Sequence, residues 1–234
     1  MKKSVIWIVI AVVALVAAML LGYQGLSRAQ NTPAERPQFG EIKLLQPDLS
    51  GGATVMQALK NRKSTRSFLD KPLSLQHLSD LLWAANGVNR EDGKRTAPAA
   101  LGIQFVDIYV VLKEGVYLYD APKNELVLVA AGDFRAETGM QHFVSTAPLN
   151  LVYVADLAKL KRLPEFVPVM SREAKLGWAY VAAGAQSENV YLYCASAGLG
   201  AVVRALIDRG KFGQTARLRP EQVIVLTQTV GYPG

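Results

Sequence analysis

Apolar residues at Leu75, Leu78, Leu81, Leu82 and Ala85 recur at helical spacing and place one apolar face on a helix over 75–86. Pro72 and Ser74 open that helix and Gly87 ends it. A shorter helix, N-capped by Thr54, is expected through Lys60. Downstream the pattern changes to alternation or short apolar runs. "FVDIYVVL" (105–112), "GVYLYDA" (115–121) and "ELVLVAA" (125–131) read as strands joined by turns at Lys113-Glu114 and Pro122-Lys123-Asn124. "APLNLVYVAD" (147–156) adds a strand, and 133–143 reads as a helix between them. A long apolar-periodic helix over 173–197 is closed by Gly198 and Gly200, and "QVIVLTQTVG" (222–231) is a late strand of the buried kind. Helices first, hairpin-linked strands in the middle, then a long helix and a strand: that order predicts an α+β fold rather than a doubly wound parallel sheet.

Two stretches fall outside this periodicity. Met1-Lys2-Lys3 precedes 17 residues without a charge, Val5 to Leu21, and Ser27-Arg28-Ala29 offers a small-x-small cleavage site. As a helix the run would reach about 25 Å, short of a hydrocarbon core of about 30 Å. Residues 1–29 therefore read as a signal peptide, with an uncleaved N-terminal anchor as the competing reading. Either way the paired lysines keep the N-terminus cytoplasmic and the body is expected to be exported, periplasmic or extracellular. Residues 30–53, rich in Pro, Gly and polar residues, read as a linker or surface arm, and 54–234 as the folded domain. Within that domain, "NGVNREDGKRTAPAALG" (86–102) is too long for an ordinary connection and is expected to be a functional loop.

Composition narrows the classes. Of 234 residues, 26 are Lys or Arg and 19 Asp or Glu, a net +7 that falls to +4 without Lys2, Lys3 and Arg28. With no basic stripe carrying interleaved aromatics, nucleic-acid binding is disfavoured. Cys194 is the only cysteine, so neither an intramolecular disulfide nor a cysteine-based metal site can form; among apolar helix neighbours it reads as a buried, inert thiol.

The chemistry concentrates in "LKNRKSTRSF" (59–68). Arg62, Lys63, Ser64, Thr65 and Arg66 put three cations and two hydroxyls into five positions, between apolar Val55, Met56 and Leu59 on one side and Phe68 and Leu69 on the other. Two arginines offer bidentate donors and Lys63 a point charge, which suits a phosphate. The competing reading is a solvated inter-helix loop. No glycine-rich phosphate loop with Lys-Ser/Thr and no His-Glu zinc pair is present. His77 and His142 are isolated and no metal site is expected. Ser171 and Ser187 lack a His/Asp set, which disfavours a serine hydrolase. A phosphate cradle without an acid–base kit points to a bound cofactor as the source of chemistry.

"NRKSTRSF" resembles the N-terminal fingerprint of the nitroreductase-like FMN flavoenzymes. Three further segments agree in order: "RTAPAALGIQFVDIYVV", "LGWAYVAAGAQSENVYLYCASAGLGAVV" and "VIVLTQTVGYP". The hairpin "GVYLYDAPKNELVLV" resembles the thiazoline/oxazoline dehydrogenase branch. The resemblance implies a central, mostly antiparallel sheet flanked by helices with a long central helix, an intertwined homodimer, and FMN at the dimer interface. It places Arg62, Ser64 and Arg66 on the FMN phosphate and ribityl chain, Lys63 in backbone or side-chain contact near the ring, and Pro98, Ala99, Ala100 and Gln104 beside the ring. Val203, Arg204, Ala205 and Leu206 would present backbone N–H groups to flavin N5 and O4. The implied activity is two-electron redox chemistry on a small molecule, with hydride passing through flavin N5 and no catalytic side chain identified. Three departures stand out: Ala99 and Ala100 replace the family's serines, Gly102 replaces its asparagine, and the chain ends at Gly234 without the family's trailing basic residues, for which Arg217 or Arg219 could substitute. These leave a second reading, a non-catalytic exported binding or assembly protein that has lost FMN. A third is a membrane-anchored redox partner.

Overall fold

The computed structural model describes residues 40–162 and 169–234; the segment expected to be a signal or anchor, 1–29, lies outside them. The described residues belong to one compact unit. Four helices and seven strands are present among the described residues. In chain order they are β1 (Ile42–Lys43), α1 (Val55–Asn61), α2 (Leu75–Asn86), β2 (Val106–Val111), β3 (Gly115–Asp120), β4 (Glu125–Ala131), β5 (Leu149–Asp156), α3 (Arg172–Ser196), β6 (Gly200–Arg204), α4 (Arg209–Thr215) and β7 (Gln222–Gly231). Each helix starts on a side-chain cap. Thr54 closes a capping box with Gln57, Ser74 accepts from His77 N, Ser171 from Ala174 N and Asp208 from Lys211 N.

The strands form a single antiparallel sheet, ordered β1-β4-β3-β2-β5-β7-β6. Alternation along β2 sends Val106, Ile108 and Val110 towards α2 and α3, and Tyr109 and Val111 to the other face, where Ile207 and the α4 residue Phe212 cover them. β5 is buried at every position, which is why its sequence runs apolar instead of alternating. The fold is thus α+β, with the long helix α3 laid across one face of an antiparallel sheet.

Three local differences from the sequence reading have physical causes. The stretch 133–143 forms two 3-10 turns, Arg135–Thr138 and His142–Val144, not one helix. The Thr138 carbonyl that a helix would use accepts from Arg204 Nη1 at 2.8 Å instead, and a Cβ on Gly139 would stand 1.9 Å from that nitrogen. Part of the expected arm is docked: Ile42 is buried and pairs with Leu126, and Asp48 N donates to Asp80 Oδ1 at 2.9 Å. Gly200, expected as a cap, begins β6; Gly198, at φ +71, makes the turn.

Candidate functional site

The cation-rich segment leaves α1 at Arg62, whose N–H still bonds Ala58 O at 2.8 Å while its ψ of 122° ends the helix. The chain then lies along β6. Ser64 bridges Ala201 in parallel, and Thr65 N donates to Ala201 O at 2.9 Å. This approach needs a glycine at 200, because a Cβ there would sit 2.7 Å from Thr65 Cγ2. Beyond it, Leu69 N bonds Tyr232 O at 3.0 Å and Gly234 N bonds Ser67 O at 3.1 Å, while the Phe68 and Phe143 rings pack 5.7 Å apart. The segment is held at both ends by backbone, so its side chains are free to face outward. Lys63, Ser64 and Arg66 are exposed, and neither Lys63 nor Arg66 forms an ion pair among the described residues.

Behind them stands Tyr191 of α3, which the sequence reading did not single out. Its hydroxyl lies 3.1 Å from Ser64 Oγ and accepts from Val203 N at 2.8 Å, and its ring lies 5.3 Å beneath the Arg62 guanidinium. A hollow of about 310 Å³ adjoins it, with Lys63, Thr65, Tyr191, Ala201 and Pro233 in its wall. Cys194 also borders this hollow, but it is 1% exposed and burial pushes its thiol pKa up, so it is inert as a nucleophile.

The segment 203–206 divides into three. The Val203 N–H is already engaged by Tyr191. Arg204 completes the pairing with β7 opposite Thr227, and its buried side chain points away from Tyr191 to Thr138 O and to Asn150 Oδ1 at 3.1 Å. No carboxylate among the described residues meets this guanidinium, and burial pushes its pKa down to about 10. Ala205 and Leu206 are exposed beyond the strand.

Pro98, Ala99, Ala100 and Gln104 lie elsewhere. The loop before them is pinned by the Val88–Arg95 bridge and by Thr96 Oγ1 on Trp83 O. It ends in a 3-10 turn in which Leu101 is held at φ +53 beside Gly102 at φ +72. A left-handed, exposed leucine is a strained feature of the sort that collects at binding loops. Gln104 precedes Phe105, whose carbonyl accepts from Asp156 N, and Asp156 pairs with Gln222. Ser64, by contrast, is bridged to Ala201, opposite Val230. Eight residues of β7 separate these levels, about 26 Å along the strand. Within one chain, therefore, the 62–66 and 203–206 groups are neighbours and the 98–104 group is remote. Arg217 and Arg219 also lie at the Gln222 end, since Gln222 N bonds Arg219 O at 2.9 Å, so within the chain they are no substitute at the 62–66 cluster.

The two histidines are accounted for locally. His77 Nδ1 is 2.9 Å from Tyr193 Oη, and His142 stacks edge-on to Phe143. Ser171 caps α3 and Ser187 bonds Gly184 O.

This architecture and the segment that carries the donors recur in known proteins. The Nitroreductase family model matches residues 59–232. A nitroreductase homologue of Methanocaldococcus jannaschii is 30% identical over 176 residues, covering 71% of this chain and 80% of its own length. The crystal structure of a Ralstonia eutropha nitroreductase homologue is 43% identical and superposes with a TM-score of 0.77 over 86% of this chain and 93% of that one. A chain of the Escherichia coli microcin synthetase McbBCD complex shares the fold, at a TM-score of 0.64 and 18% identity, over 89% of this chain and 81% of its own. With the family pattern running from the end of α1 to the last strand, the chain belongs to the nitroreductase family of oxidoreductases.

Proposed function

We propose that this chain is an exported FMN-dependent oxidoreductase acting as a homodimer on a small molecule. The observation that carries the reading is the presentation of Arg62, Ser64 and Arg66. Three phosphate-type donors project from a segment fixed by backbone bonds to β6 and to the C-terminus, with no carboxylate neutralising them among the described residues. That donor set fits a phosphate monoester, and Arg62, Lys63, Ser64 and Arg66 would hold it. When bound, FMN supplies two-electron transfer at its N5. The chain's own part is to bind, orient and exclude water: Val203 begins the segment that runs from beside Ser64, and Tyr191 fixes the distance between Val203 and Ser64.

The separation of about 26 Å along β7 supports the dimer reading. A flavin mononucleotide cannot reach from Ser64 to Gln104 in one chain, so Pro98, Ala99, Ala100 and Gln104 would serve the site of a second copy. Exposed Val55, Met56 and Leu59 on α1 and Tyr180 and Val181 on α3 supply the apolar faces for that association. Export rests on the apolar N-terminal run and the cleavage pattern after it; no helix among the described residues is long and apolar enough to cross a membrane. A location away from the cytoplasm would require a donor other than NAD(P)H, or a substrate whose electrons pass to oxygen or a quinone. The hairpin of β3 and β4 suggests the thiazoline/oxazoline dehydrogenase branch; the likeness to the microcin synthetase chain supports this at the level of fold alone.

A second reading, a flavin-free binding or assembly protein, is favoured by one finding: the Val203 N–H is occupied by Tyr191 and not left open. Absorption spectra of the protein lacking residues 1–29, before and after FMN addition, separate the two. Two flavin bands at about one FMN per chain, weakened at least tenfold by Arg62→Ala and Arg66→Ala, would support the enzyme. A folded protein that takes up no FMN would leave the binding role.

A further inference from the structure

β6 pairs with β7 only from Thr227 onward, so the first half of β7, Gln222–Leu226, lacks a neighbour on that edge. A cavity of about 460 Å³ lies against this open stretch, and four arginines line it: Arg172 from the start of α3, Arg209 from the start of α4, and Arg217 and Arg219 from the turn into β7. We propose that this cavity is a binding site for a small polyanion, a molecule carrying two or more phosphate or carboxylate groups, separate from the 62–66 cluster.

Charge and geometry both support it. No Asp or Glu is among the described lining residues. Of the nearby carboxylates, Asp156 offsets the charge of Arg219, Glu173 acts on its neighbour Arg172, Glu221 pairs with Lys161 and Asp208 accepts from the Lys211 N–H, so the lining keeps a positive excess. Two of the arginines are oriented by the fold. Arg209 Nε donates to Ile224 O at 3.1 Å and its Nη2 to Ala205 O at 3.3 Å, and Arg219 is anchored by Asp156. Arg172 and Arg217 make no hydrogen bond through their side chains among the described residues, so their full guanidinium forks are available. Gly210 and Gly213 leave room between the guanidinium groups, and Gln214 and Gln222 add neutral amide donors to the wall.

Arg217 is the most informative member. It follows α4 in the left-handed conformation, φ +51, at a position where Ala216 N bonds Phe212 O and Leu218 N bonds Gly213 O. Glycine is the residue suited to such a helix exit, and a side chain there is held at a cost. The strained backbone carries a cation with no side-chain hydrogen bond or ion pair among the described residues, in the lining of a cavity that holds three others.

The test uses the full-length protein and two probes, inorganic pyrophosphate and citrate, titrated by calorimetry at low ionic strength with thermal melts in parallel. We expect at least one probe to bind and raise Tm; the stronger of the two identifies phosphate or carboxylate as the preferred group. Arg217→Gly should weaken that binding about tenfold while leaving the unliganded Tm unchanged or higher, because glycine relieves the backbone. Arg172→Ala should weaken it by a similar factor. Arg62→Ala/Arg66→Ala should leave it intact, which separates this site from the flavin phosphate site. No heat and no Tm shift with either probe would overturn the proposal. So would binding that survives both cavity variants, or binding lost with the Arg62/Arg66 pair.

Discussion

Ser64 Oγ and Tyr191 Oη meet at 3.1 Å across 127 positions of chain, and the same tyrosine oxygen takes the Val203 N–H at 2.8 Å. One hydroxyl thus ties the cation-rich segment, the long helix and β6 together. Tyr191→Phe keeps the ring under Arg62 but leaves the Val203 donor unpaired inside the fold. It should cost about 1–3 kcal/mol of unfolding free energy in a urea titration, whereas Ser64→Ala, at an exposed position, should cost less than about 1 kcal/mol. Equal losses in the two variants would mean that Ser64, not Val203, is the partner that matters.

A second test probes how closely the 62–66 segment must approach β6. Gly200→Ala would drive a methyl to 2.7 Å from Thr65 Cγ2 and 2.8 Å from its Cβ. Crowding of this kind costs about 1–3 kcal/mol. Because the displaced part is the donor segment itself, FMN retention should fall by more than the loss in global stability accounts for. Adding Thr65→Gly to Gly200→Ala should restore retention, as followed by flavin fluorescence quenching. A double variant as weak as the single would place the fault elsewhere on β6.

Much of this arrangement was legible in the sequence, and the misses share a cause. Strong periodicity and punctuation placed α2 and β7 at their observed bounds, since Ser74, Gly87 and the run from Gln222 to Gly231 are local signals. The donor segment was legible because it packs five polar residues between apolar flanks. The helix expected over 133–143 failed because Arg204, 66 positions from Thr138, takes the carbonyl that the helix would use. β1 and β6 were too short to show a pattern, and they form only because a distant partner strand offers an edge. Tyr191 was hidden as one more large residue on an apolar helix; its meaning lies in where its hydroxyl points. The only hint available was that a buried tyrosine needs a partner for its O–H.

The proposed association of two copies predicts a coupled loss. Met56 and Val181 are 75% and 74% exposed in the single chain, unusual for large apolar side chains on helices that also pack a core. Met56→Glu and Val181→Glu should each shift the protein from dimer to monomer in light scattering, with little change in far-UV circular dichroism. If the 98–104 loop serves the second copy's site, FMN should be released along with dimerisation. Monomers that keep their flavin would show that one chain completes the site.

The last prediction concerns pH. Asp107, on β2, is largely buried and its pKa is raised above the ordinary 3.8, burial being the chief cause; Lys159 Nζ at 2.5 Å opposes the rise, and Asp156 adds to it. Tyr109 on the same strand and Arg219 from the turn into β7 complete the surroundings. A carboxyl whose folded pKa lies above its unfolded value binds more protons in the folded state between the two values. Its stabilising contribution is therefore fully present below about 3.8 and is lost as pH rises through the folded pKa. Asp107→Asn cannot titrate and lacks this dependence. Urea melts of the two proteins from pH 7 down to pH 4 should show the difference in unfolding free energy moving steadily in favour of the wild type. Lys159→Met should be most damaging at pH 7, where it leaves a buried carboxylate without its counter-charge, and should lose much of that effect towards pH 4. A Lys159→Met penalty that stays constant over this range would mean that the lysine acts through packing of its alkyl chain and not through the Asp107 charge.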